Sequence, residues 1–376
     1  LKKPMEITET HCTSILTRAT GYLKNVSSHS LNPYIGCGYG NSSCGEGCYV
    51  RFNQWLNRGR EWGRFVDVKV NADEVYLNTV QAERRWAARR GMAFSIFFSS
   101  STDPWQPIEQ KFRVTRKVLD AMLEETPDVL ILQTHSSRIA DDMDRIISLS
   151  LKCDLRVHLS IEGDRDSLPG LPPPPCSVDE RIRLVNEFTS RGIITVVCMS
   201  PLYPLIDPDV FFQRIAESGA SAVVIDHFIE GDGTRDGSRT RRTRLPQAIT
   251  TVDEQAVELS YREKVAEIAR DYLPVGISSS GFAGVYSLQV DSVSEGGAGM
   301  NLEIPSNLKQ EILSLDGRGY KAYKILQGRS FNYGSFTVTF EHVQGDSFAQ
   351  PTRLSVSIGM DEAGFVPSLY STPAPR

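Results

Sequence analysis

The side chains best able to do chemistry are Cys37, Cys44 and Cys48, set in one glycine-rich stretch from Asn32 to Phe52, NPYIGCGYGNSSCGEGCYVRF. They fall within twelve residues, whereas the other four of the seven cysteines, Cys12, Cys153, Cys176 and Cys198, are scattered singly. Soft thiolates hold zinc or an iron-sulfur cluster, and glycine lets a backbone wrap a bulky group. Structural zinc normally takes a fourth Cys or His close by, and the sequence offers no second pair nearby. A 4Fe-4S cluster on three cysteines leaves one iron open to a small molecule. An odd cysteine count argues against a disulfide framework, and a polar Gly/Ser-rich loop is a poor burial place for apolar thiols. Spacing alone leaves cluster, other metal and no metal open, with the cluster ahead of the other two.

Short apolar strands and amphipathic helices must position this loop. The expected strands are Leu31 to Gly36, Ala93 to Ser100, Val129 to Thr134, Leu155 to Ile161, Ile193 to Met199 and Ala222 to Phe228. Helices are expected from about Glu74 to Arg90, Ile108 to Glu125, Ile139 to Leu151, Asp179 to Arg191 and Pro208 to Ser218, with another ending near Tyr272. Cores such as SIFF, VLIL, ITVV and AVVI are nearly continuous in apolar residues, as strands covered on both faces require. Strict alternation of this kind winds into a parallel α/β sheet, open or curled into a full or partial barrel, whose ligands bind beyond the carboxyl ends of the strands. The cysteine loop follows the first strand and therefore falls at that mouth.

Polar residues stand at the same rim: Ser99 to Pro104 after the second strand, Gln133 to Ser136 after the third, and Ser160, Glu162, Gly163 and Asp164 after the fourth. Any one group reads as helix capping; several converging with a thiolate loop read as a site. Arg235, Arg239, Arg241, Arg242 and Arg244 lie in GDGTRDGSRTRRTRLP, after the sixth strand. They are either solvated or positioned to grip the phosphates of a nucleic acid or nucleotide.

Composition sets the outer bounds. At 376 residues, 40% hydrophobic and 23% charged, the chain suits one large domain plus a smaller one. A net charge of -5 gives no global bias towards nucleic acid or anionic membranes. No apolar run approaches bilayer length, and nothing at the start resembles a signal peptide. Leu1 rather than Met opens the sequence, which leaves an upstream segment open. Unpaired cysteines favour a reducing compartment, cytoplasm or organelle matrix. The expected organisation is an N-terminal extension over 1–28, the α/β unit over 29–280, a linker over 281–303 and a small α+β segment over 304–376. That last segment is read as a helix from Ile304, strands Ser335 to Glu341 and Arg353 to Ile358, and a disordered tail, STPAPR.

Several separated stretches carry a family resemblance: SLNPYIGCGYGNSSCGEGCYVR, STDPWQPIEQKFRVTRKVLDAM, LQTHSSRIADDMDRI, HLSIEG and GIITVVCMSPLYPLID. In this order they resemble radical SAM proteins of the spore photoproduct lyase-like family, over about residues 10–280. The resemblance implies a partial (β/α)6 barrel, a 4Fe-4S cluster on Cys37, Cys44 and Cys48, and S-adenosyl-L-methionine chelated at the fourth iron. It implies an external electron donor and a 5′-deoxyadenosyl radical that abstracts hydrogen from a substrate. Ser101, Thr102 and Asp103 would lie near the methionine amino group and Ser160 near its carboxylate or ribose. His135, where relatives often carry lysine, and Arg181 complete the cofactor set, while Arg239, Arg241, Arg242 and Arg244 would meet the substrate.

This chain departs from the family pattern in four places. The spacing is C-x6-C-x3-C rather than C-x3-C-x2-C, and Gly47 replaces an aromatic before the third cysteine. Leu205 replaces a glycine after the PxxP turn. Ser100 and Ser101 stand where repair enzymes carry a hydrogen-returning cysteine, so the same repair reaction is not expected. From about Leu308 to Ile358, EILSLDGRGYKAYKILQG and FEHVQGDSFAQPTRLSVSI resemble the amino-terminal part of predicted ABC-class ATPases, some linked to nucleic acid. The resemblance implies an ATPase fused or associated, since no GxxxxGK[ST] loop occurs in the sequence.

Overall fold

The computed structural model describes residues 4–286 and, beyond them, strands within 293–360. In chain order the strands of the first part are β1 (Glu6–Thr10), β2 (Leu16–Arg18), β3 (His29–Leu31), β4 (Tyr34–Gly36), β5 (Phe65–Lys69), β6 (Ser95–Phe98), β7 (Val129–Thr134), β8 (Asp154–Ser160), β9 (Ile194–Met199), β10 (Ala222–Ile225) and β11 (Val275–Ile277). Eight of them form one sheet in the order β11-β10-β9-β8-β7-β6-β3-β2. Every pairing from β3 to β11 is parallel, and only the edge pair β2/β3 is antiparallel. Helices connect successive strands: α1 (Ala72–Ala88), α2 (Val114–Glu124), α3 (Met143–Ser150), α4 (Val178–Thr189), α5 (Pro208–Glu217) and α6 (Leu259–Ala269). The result is a mixed α/β molecule with a parallel sheet, as alternation of strand and helix demands.

Period-two alternation decides which residues reach the site. On one face, Ile96, Phe98, Leu130, Leu132, Val157, Leu159, Val197 and Val223 join the main core with α2 residues Val118 and Met122. On the other, Phe97, Ile131, Val196, Cys198, Ala222 and Val224 meet Val26, Phe282 and Tyr286. Two residues further along that second face stand Gln133, Ser160, Ser200 and Asp226, at the carboxyl ends of β7, β8, β9 and β10. The same backbone alternation that builds an apolar floor thus delivers polar groups above it.

Three expectations are corrected. The strand read over Leu31 to Gly36 is two strands: β3 belongs to the large sheet, while β4 pairs antiparallel with β5 in a small sheet ordered β1-β5-β4. The cysteine loop therefore hangs from the small sheet, beside the large one. The N-terminal extension, for which no strand was expected, supplies β1 parallel to β5 and β2 antiparallel to β3. The expected helix over Ile108 to Glu125 is also broken at Arg113 (φ 54°), leaving a short turn, Glu109–Phe112, before α2.

Beyond 286, β12 (Val293–Glu295), β13 (Ser330–Tyr333), β14 (Phe336–Gln344) and β15 (Arg353–Met360) form a sheet ordered β12-β15-β14-β13. The two strands expected there match β14 and β15 closely. The expected helix from Ile304, most of the 281–303 linker and the STPAPR tail lie outside the described residues.

Candidate functional site

A cavity of about 540 Å³ opens at the carboxyl ends of the large sheet, within the range that holds a cofactor or drug-sized ligand. Cys37, Cys44 and Cys48 all line it. Cys37 follows β4; Cys44 lies in the short helix Ser43–Glu46, and Cys48 just after it. Burial pushes the Cys37 thiol up to about 12 and the Cys48 thiol up to about 11, and raises Cys44 well above its ordinary value. Cys44 also feels the charge of both other thiols, so the three share one electrostatic environment. Among the described residues, no set of three or more His, Cys, Asp or Glu is grouped for a single metal ion.

Gly47, where an aromatic was expected, is held tight by Leu245: a Cβ there would lie 2.8 Å from Leu245 Cδ2. Leu245 follows the arginine-rich loop, so that loop packs directly on the cysteine loop. Glu46 joins the two again, with Arg51 Nη1 at 3.3 Å and Arg244 Nη2 at 3.1 Å. Arg242 stacks over the Phe52 ring at 4.3 Å. Arg241 Nε donates to Asp236 O (2.9 Å) and Arg239 Nη1 to Asp232 O (3.2 Å). All four arginines stay exposed, but only Arg239 lines the cavity; Arg241, Arg242 and Arg244 lie outside it.

Against the start of the cysteine loop, the segment after β6 is built for rigidity. Ser99 is held at φ 74°, a strained conformation for a serine, and its buried Oγ has no hydrogen-bond partner among the described residues. Ser101 N donates to Asn32 Oδ1 (2.9 Å), while its hydroxyl makes no hydrogen bond among the described residues. Thr102 Oγ1 donates to Gly36 O (2.6 Å) and accepts from Gln106 Nε2 (2.9 Å). Asp103 accepts from Thr134 Oγ1 (2.8 Å), Trp105 N (2.9 Å) and His135 N (2.9 Å). Burial pushes its carboxyl up, against the pull of His135 and these donors. Thr102 and Asp103 thus line the cavity but spend their side chains locking the rim together.

The remaining predicted cofactor residues meet at Glu162, which the sequence placed at the rim without a role. His135 Nε2 lies 2.8 Å from Glu162 Oε1, and Arg181 Nη1 donates to Glu162 Oε2 at 2.9 Å and to Ser160 O at 2.5 Å. Arg181 is 1% exposed and Ser160 fully buried, so both stand behind the cavity wall that Glu162 and His135 form. Burial alone would raise the Glu162 carboxyl, but Arg181 and His135 hold it well below the usual carboxylate range. A capping box between Ser177 and Glu180 fixes the start of α4 and with it Arg181.

Sequence reasoning missed a third group on the cavity wall: Tyr22, Ser200 and Asp226. Asp226 directly follows β10, and the same strand-end rule that found Ser99 and Gln133 would have found it. Reading the strand on to Phe228 hid it.

Residues 306–376 match the family described as ATPase of the ABC class N-terminal. The chain is 31% identical over 180 residues to an uncharacterized protein of Methanocaldococcus jannaschii, covering 47% of this chain and 61% of that one. It is 26% identical over 193 residues to a protein of Pseudomonas phage M6 named Radical SAM Nalpha-GlyT isomerase, covering 50% of this chain and 38% of that one. The chain thus spans less than two thirds of the length of each of these curated relatives. Among the described residues, no helix is long and apolar enough to cross a membrane.

Proposed function

We propose that this chain is a radical SAM enzyme of the spore photoproduct lyase-like kind, built on a partial (β/α)6 barrel and acting on a nucleic acid or nucleotide-like substrate. The observation that carries the reading is the convergence of Cys37, Cys44 and Cys48 with the polar ends of β6, β7 and β8 on one cavity. Three soft donors without a fourth alongside suit a 4Fe-4S cluster better than a closed structural zinc site. The similarity to a phage protein named as a radical SAM isomerase supports the same direction.

Cys37, Cys44 and Cys48 would hold the cluster. Bound there, with an iron free to chelate S-adenosyl-L-methionine, it would supply the electron from an external donor that cleaves the sulfonium to a 5′-deoxyadenosyl radical. The chain's own residues orient and insulate. Ser101 offers a free hydroxyl beside the loop. Glu162 and His135 present a polar wall suited to an amino acid moiety, and Ser160 and Arg181 support it from behind. Leu245, Phe97 and Phe282 give the cavity apolar sides that exclude water. Anaerobic reconstitution with iron and sulfide, then dithionite and S-adenosylmethionine, tests the reading: 5′-deoxyadenosine is the expected product, and its absence from cluster-loaded protein would sink it.

For the substrate, Arg239 at the mouth and Arg241 and Arg242 on the exposed rim support phosphate contact. Substituting Arg241 and Arg242 together with alanine is expected to weaken binding to single-stranded oligonucleotides and to lower the slope of log K against log salt by about 1.4. A second reading, radical chemistry on a peptide or small molecule, draws on the internal contacts of these same arginines. An unchanged slope would favour it. The C-terminal segment would join this unit to an ABC-class ATPase, fused or associated.

A further inference from the structure

We propose that Asp226, with Tyr22 and Ser200, is the docking point for a positively charged amine on the substrate. The inference deepens the reading of this cavity as the substrate site and rests on it.

Asp226 is 2% exposed and lines the cavity on a different strand end from the Glu162 group. Its Oδ1 accepts from Ser278 Oγ (2.6 Å), and its Oδ2 accepts from Ser200 Oγ (3.1 Å) and Tyr22 OH (3.2 Å). A carboxylate has about four acceptor positions, so one is left. The backbone closes over the group at Gly231, where a Cβ would lie 2.5 Å from Asp226 Oδ2, so the open approach is from the cavity.

Charge sets Asp226 apart from Glu162 and Asp103; Asp232, also buried on this cavity, has no ion pair among the described residues either, but it is held inside its own loop by Thr234 N (2.9 Å) and Thr240 N (2.7 Å). Glu162 is matched by Arg181 and His135, and Asp103 has His135 Nδ1 at 3.8 Å. No lysine, arginine or histidine among the described residues forms an ion pair with Asp226. Arg262 Nη1 donates to Ser278 Oγ at 2.9 Å, and its charge also favours the Asp226 carboxylate, less than the three hydroxyl donors do. The other titratable groups that feel Asp226 are Tyr22, Cys198 and Tyr49, all neutral or anionic. Hydroxyl donors lower the charge cost of burial without cancelling it; burial still pushes the carboxyl up to about 6. A buried anion with one acceptor position open to a cavity is tuned for a ligand that brings the missing cation. An ammonium does so with a donor for the remaining acceptor position.

Substitution separates a ligand-awaiting group from a structural one. In ligand-free protein, Asp226→Asn removes a buried charge that Arg262 and the hydroxyl donors compensate only in part. Because the folded carboxyl titrates above its unfolded value, the cost it imposes grows as pH rises through that interval and is complete above about pH 6. Asp226→Asn is therefore expected to raise Tm by roughly 2–4 °C at pH 8 and by less at pH 5. A lower Tm at pH 8, or a variant that does not fold, would make Asp226 a structural hub and overturn the proposal. The ligand probe is n-butylammonium chloride, set against equal concentrations of n-butanol and sodium chloride. It is expected to raise the Tm of wild type above both controls, and not that of Asp226→Asn. Equal responses in wild type and Asp226→Asn overturn the proposal. So does weaker S-adenosylmethionine binding by Asp226→Asn, which would make Asp226 a cofactor contact. None of the melting measurements uses iron, S-adenosylmethionine or nucleic acid, so their failure would leave the 5′-deoxyadenosine test of the wider reading intact.

Discussion

Alanine at Cys37, Cys44 and Cys48 together is expected to abolish retention of iron and sulfide after anaerobic reconstitution and to reduce 5′-deoxyadenosine to background, with only a modest loss of thermal stability. The asymmetry follows from where the sulfurs sit. Each lines the cavity rather than the main core; only a small satellite cluster, Cys37 with Val50 and Trp62, packs around them. Removing them costs little packing but takes away every soft donor of the loop. A thiol whose neutral form is favoured by burial gains its ligand character only when a metal displaces the proton, so nothing else in the loop can substitute. Cys198→Ala is the control: Cys198 lies on the inner sheet face among Val196, Val224 and Phe282, and should load like wild type. Metal content read beside the product assay separates the alternatives. Zinc without sulfide in the wild type would favour a noncatalytic metal protein.

The parallel sheet was legible because strands covered on both faces have no polar option, and β7 falls on Val129–Thr134 as read. Polar strand ends were legible too, since Ser101, Asp103, Gln133 and His135 break sharply from apolar runs. The small sheet escaped. FVDVK in β5 alternates too briefly to stand out, and its partner β1 precedes it by more than fifty residues. Which rim residues face outward into the cavity was also beyond sequence. Asp103 and Ser160 carry the right chemistry, yet one is spent on Thr134, Trp105 and His135 and the other is buried behind Glu162. Partner choice of that kind depends on distances between segments far apart in sequence.

The arginine loop gives the same lesson about charge. Read alone, Arg241, Arg242 and Arg244 are either solvated or poised for phosphate. In place, Arg244 is tied to Glu46 and Arg242 stacks on Phe52, so the loop clamps the cysteine loop whatever else it binds. Exposed contacts of this sort are individually worth about 1 kcal/mol or less. They can hold a rim in register and still give way to a phosphate.

Buried charge behaves differently, and Arg181→Met is expected to cost about 3–5 kcal/mol at neutral pH, the range for breaking a buried ion pair on one side. Arg181 and Glu162 are both nearly inaccessible, at 1% and 5% exposure, so water cannot take over from the missing partner. The pH dependence follows from the depressed Glu162 carboxyl. Its pairing stabilises the fold above the unfolded carboxyl's titration, near pH 4.3, and is lost as pH falls below that. The gap between wild type and Arg181→Met in urea denaturation should therefore be full at pH 7 and narrow in acid. Glu162→Gln should lose a comparable amount at pH 7 by stranding the guanidinium. The double variant should fall well short of the sum, because with both charges gone neither is left unpaired. Additive losses, or a cost below about 1 kcal/mol for Arg181→Met, would mean that the pair is hydrated and behaves as a surface contact. The wall that His135 and Glu162 present to the cavity would then lack the rigid backing assigned to it.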